Sequence, residues 1–90
     1  MEYSAQDVLN KSKEVKEMIF SQDGGEEYFE SLREDAKKVI EVVKRDKNRG
    51  IVMTEMFLIC TQKEIEDHMI LEIIYDRQVE EETNGSDTSI

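Results

Sequence analysis

The single cysteine and the single histidine are the residues that could support nucleophilic catalysis in this chain. A thiol beside an imidazole base becomes catalytic when a third group orients the base and hydrogen-bond donors form an oxyanion hole. Nothing near Cys60 or His68 in the sequence supplies either part. Cys60 also lies in an apolar segment, where thiols usually behave as inert small hydrophobes. We therefore predict that the protein is not an enzyme.

His68 is also the centre of the one metal-like pattern, because Glu64 and Glu72 flank it at helical spacing. On a helix the three side chains would share a face, whereas a strand would move Glu64 into the preceding turn. The sequence contains no phosphate-binding glycine loop, dinucleotide-binding fingerprint or calcium-binding loop. We expect no metal site and no cofactor.

Carboxylates dominate the remaining chemistry, with 22 acidic and 12 basic residues in 90 and a net charge of −10. Such a charge opposes direct binding to nucleic acids or anionic membranes and favours basic partners. The sequence therefore predicts a small acidic interaction module, an inhibitor or regulator that binds a basic surface of a partner protein, in one form as a nucleic-acid mimic. The predicted contacts are Glu26, Glu27, Glu30, Glu34, Asp35, Glu64, Glu66 and Asp67. In composition, though not in any motif, the chain resembles small inhibitor, immunity and antitoxin proteins.

One basic band interrupts this acidic chain. Residues 37–50 contain six basic and two acidic side chains, a net charge of +4. The band coincides with the predicted C-terminal end of a helix, where cations are favourable, and no aromatic residues interleave with it. We expect no direct binding to nucleic acid through this band.

The side chains discussed above must be positioned by two predicted helices and by a less regular C-terminal half of the chain. Residues 3–21 and 26–47 each place apolar residues on one helical face, with a break at Gly24-Gly25. Residues 51–60 are rich in strand formers, and Met69, Leu71, Ile73 and Tyr75 alternate as in a strand. The predicted fold is α+β, two N-terminal helices packed on a C-terminal antiparallel β-hairpin. The alternative is a mainly α fold with a third helix at 62–80, because Thr61 and Glu64 match a capping box.

The hairpin would be apolar on both faces, and two helices can cover only one of them. A homodimer formed through the hairpin is therefore expected. The predicted self-association residues are Met53, Met56, Phe57, Met69, Ile70 and Ile74. The alternative function is a structural or assembly subunit that works through the apolar hairpin 51–75.

The domain is predicted to span residues 1–79, followed by a disordered acidic and polar tail at 80–90. Its last residues, 88–90, weakly match a terminal peptide-recognition pattern. A lone cysteine cannot form an internal disulfide, and the start of the chain lacks signal-peptide features. The longest apolar block has ten residues, half of a membrane span. A cytoplasmic location, in a cell of origin or a host cell, is expected, with no membrane binding.

Overall fold

Five helices make up the described part of the chain. A computed structural model describes the backbone of residues 4–88 and the side chains of residues 4–81. The helices are α1 (Ala5–Phe20), α2 (Gly25–Ser31), α3 (Arg33–Arg45), α4 (Ile51–Ile59) and α5 (Gln62–Thr88). No strand occurs within residues 4–88, so the predicted α+β fold is wrong and the protein is all-helical.

The first helix forms where the sequence predicted it. The Ser4 hydroxyl accepts a hydrogen bond from the Asp7 backbone N–H, and the Asp7 carboxylate accepts one from the Ser4 N–H. This reciprocal capping box satisfies two N–H groups that the helix itself leaves unpaired. Ala5 and Leu9 are buried, while most charged side chains of α1 face solvent. The prediction of an amphipathic helix is confirmed.

The second predicted helix is divided in two. Residues 26–47 were expected to be continuous, but α2 ends at Ser31 and α3 begins at Arg33, with Leu32 at the junction. The Leu32 N–H bonds to the Phe29 carbonyl, a tighter turn than that of an α-helix. Leu32 remains buried, so the junction keeps the apolar face of both helices on the core.

The first predicted strand is α4. Its apolar residues surround the helix axis, and this even distribution is the property that favoured a strand over an amphipathic helix. In the fold, α4 packs against α1 and buries Met56 completely. Gly50 adopts φ 90° immediately before the helix, a conformation that glycine reaches without strain.

The second predicted strand lies within α5. The Glu64 N–H donates to the Thr61 hydroxyl, and the Thr61 N–H donates to the Glu64 carboxylate, so the capping box forms and the helix begins at Gln62. Packed against both α1 and α3, α5 is the central helix of the fold. Because it is covered from two sides, it needs apolar residues around much of its circumference and lacks a single helical face.

The core forms where α2 and α3 meet α5. Its buried members are Phe29, Leu32, Ala36, Ile40, Ile65, Met69 and Ile70. The rings of Phe20 and Phe29 meet edge to face, with centroids 5.3 Å apart. This packing joins the α1–α2 corner to the core.

The fifth helix continues past Val79, where the domain was predicted to end. The side chains of residues 82–90 and the backbone of residues 89 and 90 lie outside the described part of the chain, so the 88–90 motif and the disordered tail stay predictions. None of the described helices combines the length and the apolar character needed to cross a membrane.

Candidate functional site

Five of the eight predicted acidic contacts lie on α2 and the first turn of α3. Glu26, Glu27, Glu30, Glu34 and Asp35 are all exposed. Phe29 on α2 and Ala36 on α3 are buried, so the five carboxylates lie outside the faces of these helices that pack on the core. Residues 22–36 contain six acidic residues and one basic residue, a net charge of −5. We call these five residues the acidic face.

Two members of the acidic face are paired with nearby cations, Glu30 across the α2–α3 junction and Glu34 within α3. The Arg33 guanidinium donates to both carboxylate oxygens of Glu30, at 2.7 and 2.8 Å. Lys37 Nζ lies 3.2 Å from Glu34 Oε1. Among the side chains of residues 4–81, no cation lies within 4.0 Å of Glu26, Glu27 or Asp35. These three carboxylates are therefore available to a partner.

Glu66 and Asp67 are placed differently, because they are buried with only 7 and 9 % of their surfaces exposed. Arg33 Nη1 donates to Glu66 Oε1 at 2.9 Å, and Arg33 Nη2 donates to Asp67 Oδ1 at 2.8 Å. Lys16 Nζ donates to the second oxygen of Asp67 at 2.9 Å. We call Lys16, Arg33, Glu66 and Asp67 the ion-pair cluster.

The hydrogen bonds that Arg33 donates to Glu30, and then to Asp67 and Glu66, raise the pKa of Arg33 above its ordinary value. The cationic groups of Lys16 and Arg33 also lie 5.7 and 6.0 Å from the Phe29 ring centroid, within cation–π range. The cluster joins α1, α3 and α5, and all of its charges face one another. Its carboxylates hold the helices together and are not presented to a partner.

Glu64 is half-buried and caps α5. The backbone N–H of Thr61 donates to its carboxylate and lowers its pKa below the ordinary value. Lys13 Nζ on α1 lies 3.4 Å from the same side chain. The helix face shared by Glu64, His68 and Glu72 is real, but no cluster of metal-ligating side chains occurs in the described residues.

His68 and Cys60 make separate local contacts. Ser12 Oγ lies 3.1 Å from His68 Nδ1, and Glu72 Oε1 lies 3.7 Å from His68 Nε2. Burial lowers the pKa of His68, while Glu72 opposes that shift. Cys60 ends α4 as its C-terminal cap, and burial raises the pKa of its thiol. Both shifts favour the neutral side chains, so the Cys60 thiol is not activated as a thiolate.

The predicted self-association residues lie in or against the core of one chain. Met56, Met69 and Ile70 are buried, and Met53, Phe57 and Ile74 are partly buried against the core. The apolar surface that remains exposed on α4 consists of other residues: Ile51, Leu58 and Ile59 are 80, 81 and 55 % exposed. The sequence analysis missed this surface because it predicted a strand, and a strand would place Leu58 on the face opposite to Ile51 and Ile59. At helical spacing the three residues are i, i+7 and i+8, which is one face.

The basic band supports a turn as well as carrying charge. Arg49 donates to the Lys44 carbonyl and to Thr54 Oγ1, and its guanidinium lies 5.3 Å from the Phe57 ring centroid. These contacts fix the connection between α3 and α4.

Comparisons with protein-family models, with curated proteins and with solved structures each give no match to this chain.

Proposed function

We propose that the protein is a non-enzymatic interaction module that binds a basic surface of a partner protein through its acidic face. The observation that carries the proposal is the exposure of Glu26, Glu27 and Asp35, with no cation of the described side chains within 4.0 Å of them. Carboxylates needed for folding, such as Glu66 and Asp67, are neutralised inside the molecule. The unpaired carboxylates are thereby distinguished from the structural ones.

The charge arrangement gives the binding a physical mechanism. A net charge of −5 over fifteen consecutive residues produces a local negative potential that attracts a basic partner and orients its approach. An array of carboxylates on a helix can also imitate the phosphates of a nucleic acid. In that case the partner is a nucleic-acid-binding protein whose basic site the acidic face covers, and the module acts as its inhibitor or regulator.

The test is affinity capture of the partner from cells that contain this protein, identification by mass spectrometry, and titration of the purified pair. The face variant replaces Glu26, Glu27 and Asp35 with Gln, Gln and Asn. A control variant replaces Glu80, Glu81 and Asp76 in the same way, since these side chains are exposed on α5. Both variants lose the same three charges, so only the position of the charges differs.

We expect the affinity to fall about tenfold or more between roughly 0.05 and 0.5 M salt, because salt screens exposed charges. The face variant should bind at least about tenfold more weakly, and the control variant should bind within about threefold of the natural chain. Affinity that is indifferent to salt would contradict the proposal. Equal losses in both variants would assign the effect to net charge and reject the acidic face as the site.

A second candidate function, an assembly subunit, is favoured by the exposed face of α4. Ile51, Leu58 and Ile59 form an apolar surface of a kind that often marks an interface. The interface would lie on a helix and not on the hairpin that the sequence predicted, and a homodimer is one form of it. Leu58→Asp should then abolish assembly, measured by sedimentation equilibrium, whereas Val42→Asp on α3, also exposed, should not. A monomeric natural chain that shows no association through α4 would reject this candidate.

A further inference from the structure

A long groove runs between α1 and α5 on the side away from the ion-pair cluster. One part, of about 750 Å³, includes Val15, Leu71 and Tyr75 among its lining residues. A second part, of about 490 Å³, shares these three residues and continues to the α1–α2 turn. The two parts are therefore one surface, which we call the α1–α5 groove.

The floor of the α1–α5 groove is apolar. It is formed by Val8, Val15, Ile19, Leu71 and Ile74. Tyr28 and Tyr75 stand at its edges and are 45 and 63 % exposed. Exposed tyrosines beside an apolar floor are typical anchor residues of protein interfaces, because each has a large apolar ring and a polar hydroxyl.

The rim of the groove is acidic. Four carboxylates line it, from Asp7, Glu14, Asp23 and Glu72, against the single ammonium group of Lys11. The lining therefore has a net charge of −3 when His68 is neutral, and burial favours the neutral form of that ring. Lys11 is also close to Glu14, with 3.9 Å between Nζ and Oε2. A ligand that fills this groove should be apolar on one side and positively charged along its margins.

The dimensions fit a helix. From Asp7 to Ile19 the groove follows thirteen residues of α1, and the twelve steps between them span about 18 Å at 1.5 Å each, or more than three turns. Both walls are helices, and the described residues offer no sheet edge to which an extended peptide could add. Helix packing into an apolar groove is the recognition mode that remains.

We propose that the α1–α5 groove receives an amphipathic, basic α-helix of a partner protein. The proposal rests on the proposed function and deepens it, since it names the segment of the basic partner and a second surface that holds it. A second copy of this chain fits less well. The exposed side of α3 has Glu34 and Glu41 among its lysines, and these carboxylates would face the acidic rim.

The experiment uses the full chain, labelled with ¹⁵N, and two synthetic peptides of 14 residues made from the same numbers of Leu and Lys. One peptide places Leu at helical spacing, i, i+3, i+4 and i+7, and the other alternates Leu and Lys. The variants Tyr75→Ser and Tyr28→Ser remove the anchors of the groove. Leu58→Ser is the control, because it removes a large exposed apolar side chain outside the groove.

We expect the helical-pattern peptide to bind at least about tenfold more tightly than the alternating one, with chemical-shift changes centred on Val15, Leu71 and Tyr75. Tyr75→Ser should weaken it about tenfold, and Leu58→Ser should leave it within about twofold. Equal binding of both peptides, or chemical-shift changes centred on Glu26 and Glu27, would reject the groove as the binding site for a helix. The proposal that the acidic face binds a basic partner would remain.

If neither peptide binds at low salt, both the groove as a helix-binding site and the proposal of a basic partner are rejected. A dimer of the chain alone that is lost in Tyr75→Ser, seen by sedimentation, would place a second copy in the groove and overturn the partner helix.

Discussion

Removal of the Arg33 charge tests whether the ion-pair cluster holds the helices together. Arg33 contacts three carboxylates, and they differ in what they keep when it is replaced by Met. Asp67 retains Lys16 at 2.9 Å. Glu30 is exposed, so water can solvate it. Glu66 is buried and retains only the Gln62 amide, which donates to it at 3.1 Å.

The expected loss follows from that difference. Arg33→Met leaves Glu66 as a buried carboxylate without a cation, and breaking a buried pair in this way costs about 3–5 kcal/mol. We take about 3 kcal/mol, because the Gln62 amide still donates. Small domains unfold with only about 5–15 kcal/mol in total. At roughly 4–8 °C per kcal/mol for a chain of this size, the melting temperature should fall by about 12–24 °C.

The assay is thermal unfolding followed by circular dichroism, supported by urea titration. Arg45→Met is the matched control, since Arg45 is exposed on the same helix and makes no ion pair among the described side chains. Its effect should stay within about 0.5 kcal/mol. Adding Glu66→Gln to Arg33→Met removes the stranded charge and should restore about 1–2 kcal/mol.

Two results would refute this reasoning. Equal melting temperatures for Arg33→Met and Arg45→Met would show that the cluster contributes no net stability. A double variant that melts no higher than Arg33→Met would show that the loss comes from packing of the arginine side chain and not from an unpaired carboxylate.

Three further predictions concern single residues. Burial lowers the pKa of His68 below 6.5, so the unfolded chain binds a proton that the folded chain does not. The free energy of unfolding should therefore decrease as the pH falls through 6.5 toward the lower folded-state value, and urea midpoints for His68→Gln should lose this slope. Gly25→Ala should lower the free energy of unfolding by about 2–3 kcal/mol, because its Cβ would overlap the Ile19 carbonyl oxygen. Gly24→Ala should lower it by about 1–2 kcal/mol, because Gly24 has φ 73° but open space around it. A larger loss for Gly24→Ala than for Gly25→Ala in urea titration would contradict the close contact between Gly25 and Ile19. Thr61→Ala should lower the free energy of unfolding by about 1 kcal/mol in urea titration, and Thr61→Ser should lower it by less, because Ser keeps the hydroxyl that caps α5. No loss in Thr61→Ala would show that this cap does not stabilise the protein.

The helices at the edge of the fold could be predicted from the sequence. The helix α1 has one buried side, and the chain from α2 to α3 likewise buries Phe29, Ala36 and Ile40 on one side. A helix with one buried side shows a 3.6-residue apolar period, which a single sequence reveals. The capping box at Thr61 was equally visible, and it placed the start of α5 correctly although the alternating pattern favoured a strand.

The candidate site could be predicted only where its residues remain on the surface. Glu26, Glu27 and Asp35 are exposed, as expected for acidic residues in polar runs. Glu66 and Asp67 look the same in the sequence, but Arg33 and Lys16 neutralise them from positions 34 and 51 residues away from Asp67. Nothing local in the sequence distinguishes a solvated carboxylate from one whose cation comes from a distant helix.

The sequence by itself determined the acidic charge, the caps and the two peripheral apolar faces, because each depends on neighbours within a turn or two of helix. The tertiary structure alone decided that residues 51–59 are helical, that the alternating residues 69–75 belong to a helix, that Met56 and Ile70 belong to the core, and that Leu58 and Tyr75 stay exposed. The physical reason is burial from more than one side. A central helix such as α5 is apolar around its axis, so its periodicity disappears, and only the packing of its neighbours shows which side chains water can still reach.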